Sequence, residues 1–206
     1  MGFWQRPPLW VWLLLGTAVS LFSLSMLTLG EGLKFTSRQL TAQERRIVVA
    51  ALECWNRIEP DVQAGAAMKA MLRQQQLRAM DEPTFVRAQE RATLGYTDEH
   101  GRILLNPRIC FASWRCLGKA VHASDVVRTT SVLVHEYHHC DLNESEAQAC
   151  LAELNFLRKA WLVEQDPCFA REWRSWGALV TQRVRPYVGS DPGLELHRPG
   201  KLRLTP

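Results

Sequence analysis

The residues best suited to chemistry lie together in the segment His135-Glu136-Tyr137-His138-His139. If this segment is helical, His135 and His139 lie one turn apart on the same face and can offer two imidazoles to one metal ion. Glu136 follows the first histidine directly, where its carboxylate can take a proton from an attacking water. Zinc hydrolases use H-E-x-x-H in this way, because zinc lowers the pKa of water toward about 7. The motif therefore predicts Zn²⁺ held by His135 and His139, with Glu136 as the catalytic base.

A third metal ligand must come from beyond His139. A third histidine at the spacing used by metzincins is excluded, because Leu142 and Ser145 occupy the positions where that motif has Gly and His. On one straight helix, Glu146 would lie about 10 Å along the axis from His139 and could not share its ion. The polar residues 141–143 favour a turn that would bring the chain back.

Three glutamates are candidates for this third ligand: Glu144, Glu146 and Glu153. Glu144 would complete a capping box with Asp141, which gives it a structural role at the start of the next helix. Glu146 comes two residues later and is followed by the small Ala147, so it can face back across a close helix–helix contact. We predict Glu146 as the third ligand, with Glu144 and Glu153 as alternatives.

The elements around this motif read as helices with a few short strands. A capping box at Thr41 and Glu44 predicts a helix that ends at Pro60, and a second helix is predicted over 61–80. Short strands are predicted over 84–88, 93–97 and 102–106. Later helices are predicted from Ser124 or Asp125 through the motif, from Asp141 to about 163, and over 168–183, although the Val-rich run at 126–134 also permits a strand. The expected fold class is therefore α+β, mostly helical with a short hairpin or sheet.

The segments "VLVHEYHHC" and "ESEAQA" together resemble the gluzincin metallopeptidases, in which H-E-x-x-H is completed by a Glu on the following helix. The preceding "LGYTDEHGRILLNP" is similar to the hairpin that small zincins place before the active-site helix, with an edge strand that pairs with extended substrate. The resemblance covers about residues 84–160. It implies a zincin-like fold, a catalytic zinc, Glu136 as base and peptide bonds as substrate. The interval between His139 and Glu146 is shorter than in many gluzincins.

The N-terminus predicts export. Residues 9–30 contain no charged side chain and are long enough to cross a hydrocarbon core of about 30 Å. We predict an N-terminal flank at 1–8, a signal-anchor or signal peptide at 9–30, a metallopeptidase domain at 31–186 and a flexible tail at 187–206. The domain would be extracytoplasmic, with a bacterial periplasm favoured, and secreted if the apolar segment is cleaved.

The cysteines agree with an oxidising compartment. All six follow the apolar segment, which predicts up to three disulfides of unknown pairing. Cys140 and Cys150 flank the metal motif and could form a disulfide that pins both helices, or one could supply a thiol ligand.

The composition of the chain limits the classes of partner that we expect. The net charge of +4 is spread over the chain without a basic block, so we expect no nucleic-acid partner. The expected partners are a peptide or protein substrate and, through residues 9–30, a membrane. Two other interpretations stay open: an inactive zincin-fold binding module, and a disulfide-stabilised helical envelope domain without metal. Tyr96, Tyr137, Tyr187 and His122 could each stabilise an oxyanion, and the sequence does not select among them.

Overall fold

A computed structural model describes residues 36–84, 93–118, 120–142 and 144–188, all within the compact unit Phe35–Pro206. These residues form an α+β fold that is mostly helical, which confirms the coarse class predicted from the sequence. The elements in chain order are β1 (Ser37–Gln39), α1 (Ala42–Ile58), α2 (Val62–Arg73), β2 (Leu77–Met80), β3 (Gly95–Thr97), β4 (Ile103–Leu105), α3 (Pro107–Cys110), α4 (Ala112–Leu117), α5 (Ala123–Cys140), α6 (Glu146–Val163) and α7 (Pro167–Val188).

The four strands form a mixed sheet in the order β1-β2-β4-β3. β2 and β4 are parallel, whereas β1 and β3 run antiparallel to their neighbours. The predicted hairpin is present as β3 and β4, with Gly95 opposite Leu105 and Thr97 opposite Ile103. Residues 85–88 of the other predicted strand lie outside the described residues. The hairpin places β3 at an edge of this sheet.

The predicted helix over 61–80 is wrong in its last third. α2 ends at Arg73, and Gln75 adopts a left-handed backbone with φ of 60° that a helix does not continue through. Leu77 and Ala79 then lie buried in β2, between β1 and β4. A strand covered on both faces reads as a short apolar run, and such a run does not differ in periodicity from the end of a helix.

Helix α5 carries the metal motif and lies at the centre of the fold, where it contacts α1, α6, α7, β3 and β4. The run at 126–134 is helical, so the alternative of a strand is wrong. The predicted N-cap is also wrong, because His122 occupies that position. Asp125 is fully buried and instead accepts hydrogen bonds from the amides of Ser113 (2.8 Å) and Trp114 (2.7 Å), near the start of α4.

The two predicted capping boxes have different outcomes. The box at Thr41 and Glu44 is present at the start of α1. The box predicted at Asp141 and Glu144 is wrong, because α6 begins at Glu146 with Ser145 as N-cap and Gln148 completing the box. Glu144 lies in the preceding turn, where its amide donates to the carbonyl of His138 at 3.0 Å.

Helix α7 closes the core with Trp173 and Trp176, and Trp173 meets Phe156 of α6 edge-on at 5.8 Å. It extends to Val188, two residues into the predicted tail. The six cysteines are free thiols in this structure, so disulfide bonding stays a prediction. The described helices include none that is both long and apolar enough to cross a membrane, and the apolar segment 9–30 lies outside the described residues.

Candidate metal centre

The turn between α5 and α6 brings the predicted ligands together. α5 ends at Cys140 and α6 begins at Glu146, which is the first residue of its helix. Two contacts hold the turn: Tyr137 donates its hydroxyl to Asp141 at 2.8 Å, and His139 Nδ1 lies 3.0 Å from the carbonyl oxygen of Glu144. Glu146 is thereby placed opposite the last two turns of α5.

His135, His139 and Glu146 direct their donor atoms toward one point, with all of those atoms within 4.8 Å of one another. The Nε2 atoms of His135 and His139 are 3.2 Å apart. Glu146 Oε2 is 3.1 Å from Nε2 of His139, and its Oε1 is 3.4 Å from Nε2 of His135. The edges of a tetrahedral zinc site with bonds near 2.05 Å are about 3.3 Å long. The three residues therefore fit zinc in both chemistry and spacing.

The partners of the two Nδ1 atoms indicate which nitrogen of each neutral histidine carries the proton. Nδ1 of His139 faces a carbonyl, the Glu144 oxygen, which only accepts hydrogen bonds, so Nδ1 carries the proton. Nδ1 of His135 lies 3.3 Å from a carboxylate oxygen of Glu153, which assigns its proton in the same way. When both rings are neutral, both Nε2 atoms present lone pairs to the centre, as metal ligands do.

The two alternative third ligands lie elsewhere. Glu144 points its carboxylate to Nδ1 of His138 at 2.8 Å. Glu153 is fully buried on the far side of His135 from the centre. His138 is thus paired with the turn rather than with the metal ligands. Cys150 donates its thiol to Glu146 Oε1 at 3.6 Å, so it contacts a ligand without joining the group.

Electrostatics shows that the centre attracts positive charge. Burial lowers the pKa of His135, but hydrogen bonding with Cys150 and the carboxylates of Glu146 and Glu153 outweighs it and raises that pKa to about 12. The hydrogen bond with His135 lowers the pKa of Glu146 to about 2, against the opposing effect of burial. Three acceptor atoms this close to one another require a cation between them, either a proton or a metal ion.

Glu136 of α5 is 4% exposed, and its side chain extends toward β3 at the edge of the sheet. Thr97 of β3 donates its hydroxyl to Oε2 of Glu136 at 2.9 Å. Burial raises the pKa of this carboxyl above its usual value, and His135 and the Thr97 hydrogen bond offset only part of that effect. A carboxylate with a raised pKa suits the role of a general base near neutral pH.

Gly95 allows β3 to approach Glu136. A Cβ at this position would lie 2.6 Å from Cγ1 of Val132 and 2.8 Å from Oε1 of Glu136, closer than side chains tolerate. The missing side chain, rather than backbone freedom, is what this position requires. Gly95 and Thr97 therefore face the same glutamate, Glu136, from one edge strand, as alternate residues of a strand do.

The three candidates for oxyanion stabilisation whose side chains the structure describes are not brought to the predicted ligands. Tyr137 donates to Asp141, and His122 lies thirteen residues before His135, roughly 20 Å away along α5. Tyr96 lies between Gly95 and Thr97 and faces the opposite side of the sheet. The side chain of Tyr187 lies outside the described residues.

The sequence analysis missed Ser131, Thr97, Glu153 as a partner of His135, and Arg183. Ser131 precedes His135 by one helical turn, and Glu153 follows Glu146 by two, so helical spacing alone could have placed both on the correct faces.

Comparison of the chain with known protein families, with curated proteins and with solved structures finds no match.

Proposed function

We propose that this protein is a zinc-dependent metallopeptidase, with His135, His139 and Glu146 as zinc ligands and Glu136 as the general base. The observation that carries the proposal is the convergence of two imidazole nitrogens and one carboxylate at spacings of 3.1–3.4 Å. Two histidines and a glutamate are the ligand set of several zinc peptidases. The gluzincin resemblance of the sequence supports the same assignment.

Each residue then has a chemical task. A bound zinc ion would supply Lewis-acid chemistry and lower the pKa of water toward about 7. Glu136 takes the proton of the attacking water and later transfers it to the leaving amine. Thr97 holds Oε2 of that carboxylate, so that Glu136 is oriented before substrate arrives.

A peptide in extended conformation is the substrate that this geometry fits. β3 lies at an edge of the sheet, and two of its three residues face Glu136. Edge strands accept an added strand through main-chain hydrogen bonds, which bind any peptide sequence with similar geometry. A peptide added along β3 would pass beside the catalytic base.

We further propose that the domain is exported and held to a membrane by residues 9–30, with a bacterial periplasm favoured. The uncharged length of that segment supports export. If the segment is cleaved, the enzyme is secreted.

The same three ligands could hold Fe²⁺, since two histidines and one carboxylate also form the facial site of non-haem iron oxygenases. Glu136 favours the zinc hydrolase, because oxygenase chemistry does not require a buried general base next to a ligand. The inactive binding module and the metal-free helical domain are further alternatives. Metal content and hydrolysis separate all four.

The test is metal analysis and peptide hydrolysis with the purified full-length chain. We expect one zinc per chain and cleavage of members of a mixed peptide library, detected by mass spectrometry. His139→Ala and Glu146→Gln should lose the zinc. Glu136→Gln should keep the zinc and lose hydrolysis by about 10²–10⁴-fold, as expected when a general base is removed.

His100→Ala serves as the matched control, because His100 lies in the exposed turn between β3 and β4. Iron in place of zinc would support the oxygenase. Zinc without cleavage of any peptide would support the binding module. A wild-type chain without metal after reconstitution would contradict the proposal and leave the helical domain.

A further inference from the structure

Behind the metal ligands, a buried carboxylate joins three helices. Glu153 of α6 is fully buried and accepts a hydrogen bond from Ser131 Oγ of α5 at 2.5 Å. Arg183 of α7 donates from Nη2 to its Oε2 at 2.7 Å. The same Oε2 lies 3.3 Å from Nδ1 of His135. One carboxylate oxygen thus faces both the guanidinium and the back of a metal ligand.

The contact between Glu153 Oε2 and His135 Nδ1 is short, but it does not have the geometry of a hydrogen bond. Its Nδ1 is buried, and no partner in the described part of the chain meets it with hydrogen-bond geometry. The distance nevertheless identifies Glu153 as the nearest acceptor for this Nδ1. Buried N–H groups require a partner, and Glu153 is the acceptor in place.

Charge explains why an arginine is needed at this position. A buried carboxylate is costly unless it is paired, and Glu153 lies beside a centre that already contains Glu136 and Glu146. A divalent ion offsets two of these three negative charges, and Arg183 offsets the third. Without Arg183, Glu153 would be free to turn toward Ser131 alone, and that change would release His135.

We propose that Arg183 is a positioning residue for the metal site, acting through Glu153 on the orientation of His135. This inference rests on the proposed zinc function. It makes α7 a part of the centre, although α7 contributes no ligand to it. Partners of metal-bound histidines commonly change metal affinity by about 10–100-fold when they are removed.

A purely structural ion pair between α6 and α7 is the competing explanation. Such a pair would change the melting temperature of the metal-free protein and leave the metal site unaltered. The two explanations therefore differ in zinc affinity and in the ligand field of the bound metal, neither of which depends on peptide hydrolysis.

The experiment compares full-length wild type with Arg183→Met, Arg183→Gln and Arg183→Lys. Arg185→Met is the control, since Arg185 is an exposed arginine on the same helix. Zinc dissociation constants are measured by competition with a chelator, and the visible spectrum of the Co²⁺-substituted protein reports ligand geometry. Arg183→Gln can still donate a hydrogen bond, so it keeps the test valid if Arg183→Met does not fold.

We expect Arg183→Met and Arg183→Gln to weaken zinc binding about tenfold or more and to shift the Co²⁺ spectrum. Arg183→Lys should recover part of the affinity, and Arg185→Met should match wild type. Unchanged affinity and spectrum in folded Arg183 variants would overturn the inference and leave a structural ion pair. A wild-type chain that binds neither zinc nor cobalt would overturn the proposed function as well, which distinguishes the two failures.

Discussion

Two regions of this protein hold a glutamate in close contact with nitrogen atoms of basic side chains, and they differ in what surrounds the carboxylates. At the start of α1, Glu44 is 1% exposed. Its carboxylate accepts hydrogen bonds from both Nη atoms of Arg38 at 2.7 Å and from the amide of Thr41 at 2.8 Å. In the metal centre, Glu146 instead meets the Nε2 atoms of two histidines, which also face each other. The first cluster pairs acceptors with donors, whereas the second brings acceptors together when both histidines are neutral.

This difference separates a structural ion pair from a binding site. Arg38 pairs with the same Glu44 that forms the capping box of α1 with Thr41, so the charges of the pair are balanced within the chain. The centre formed by His135, His139 and Glu146 lacks a matching donor of its own when both Nε2 atoms carry lone pairs. The Arg38–Glu44 cluster is stable by itself, because each charge has a partner within the chain. The cluster of His135, His139 and Glu146 gains stability when a cation binds.

The largest expected effect is therefore stabilisation of the protein by zinc. A ligand that binds only the folded state at a thousand times its dissociation constant stabilises it by about 4 kcal/mol. We expect zinc to raise the melting temperature of the wild type and a chelator to reverse the rise. Thermal unfolding of Glu146→Gln, followed by fluorescence, should show no zinc-dependent shift. An equal shift in that variant would place the zinc elsewhere.

The second prediction concerns the Arg38–Glu44 cluster. Arg38→Met leaves the Glu44 carboxylate buried with the Thr41 amide as its remaining donor, and should destabilise the fold by about 2 kcal/mol. This is below the cost for a fully buried pair, because the Arg38 side chain is partly exposed to water. Denaturant unfolding measures the effect, with the exposed Arg46→Met as control. The loss should be the same with and without zinc.

The same cluster has a pH dependence of defined sign. Burial raises the pKa of Glu44, but hydrogen bonds from Arg38 and Thr41 outweigh it, so its pKa is lowered in the folded state. Its contribution to stability is therefore present above the unfolded pKa of about 4.3 and is lost as pH falls through the folded value. The difference between wild type and Arg38→Met should shrink below about pH 4. A difference that stays constant well below that pH would contradict the assignment.

Features set by neighbours in sequence could be predicted from the sequence. The box at Thr41 and Glu44, the helix through His135 and His139, and the turn before Glu146 each depend on residues within a few positions of one another. These are the distances over which helical spacing and capping act. The capping box predicted at Asp141 failed because Ser145 and Gln148 form the box instead, so that α6 begins at Glu146.

Features set by distant parts of the chain could not be predicted. Arg183 meets Glu153 across thirty residues, and Thr97 meets Glu136 across thirty-nine, with no local pattern that joins them. β2 was missed for a related reason, because its burial depends on the strands beside it. A central strand and a helix end look alike until their neighbours are known.

The smallest expected effect concerns Thr97, and it extends the comparison to Glu136, the proposed general base. Glu44 has donors at both carboxylate oxygens, whereas Thr97 donates to Oε2 of Glu136 and Oε1 lies against Gly95. A base must keep one oxygen available for the proton, so Thr97 should act as a positioning residue that orients Glu136 without neutralising it. Thr97→Val should lower kcat about tenfold, equivalent to about 1.4 kcal/mol, with zinc affinity and KM unchanged. Thr97→Ser restores the hydroxyl and should restore kcat. If Thr97→Val instead loses zinc or retains full kcat, the edge strand supports the fold and not the base.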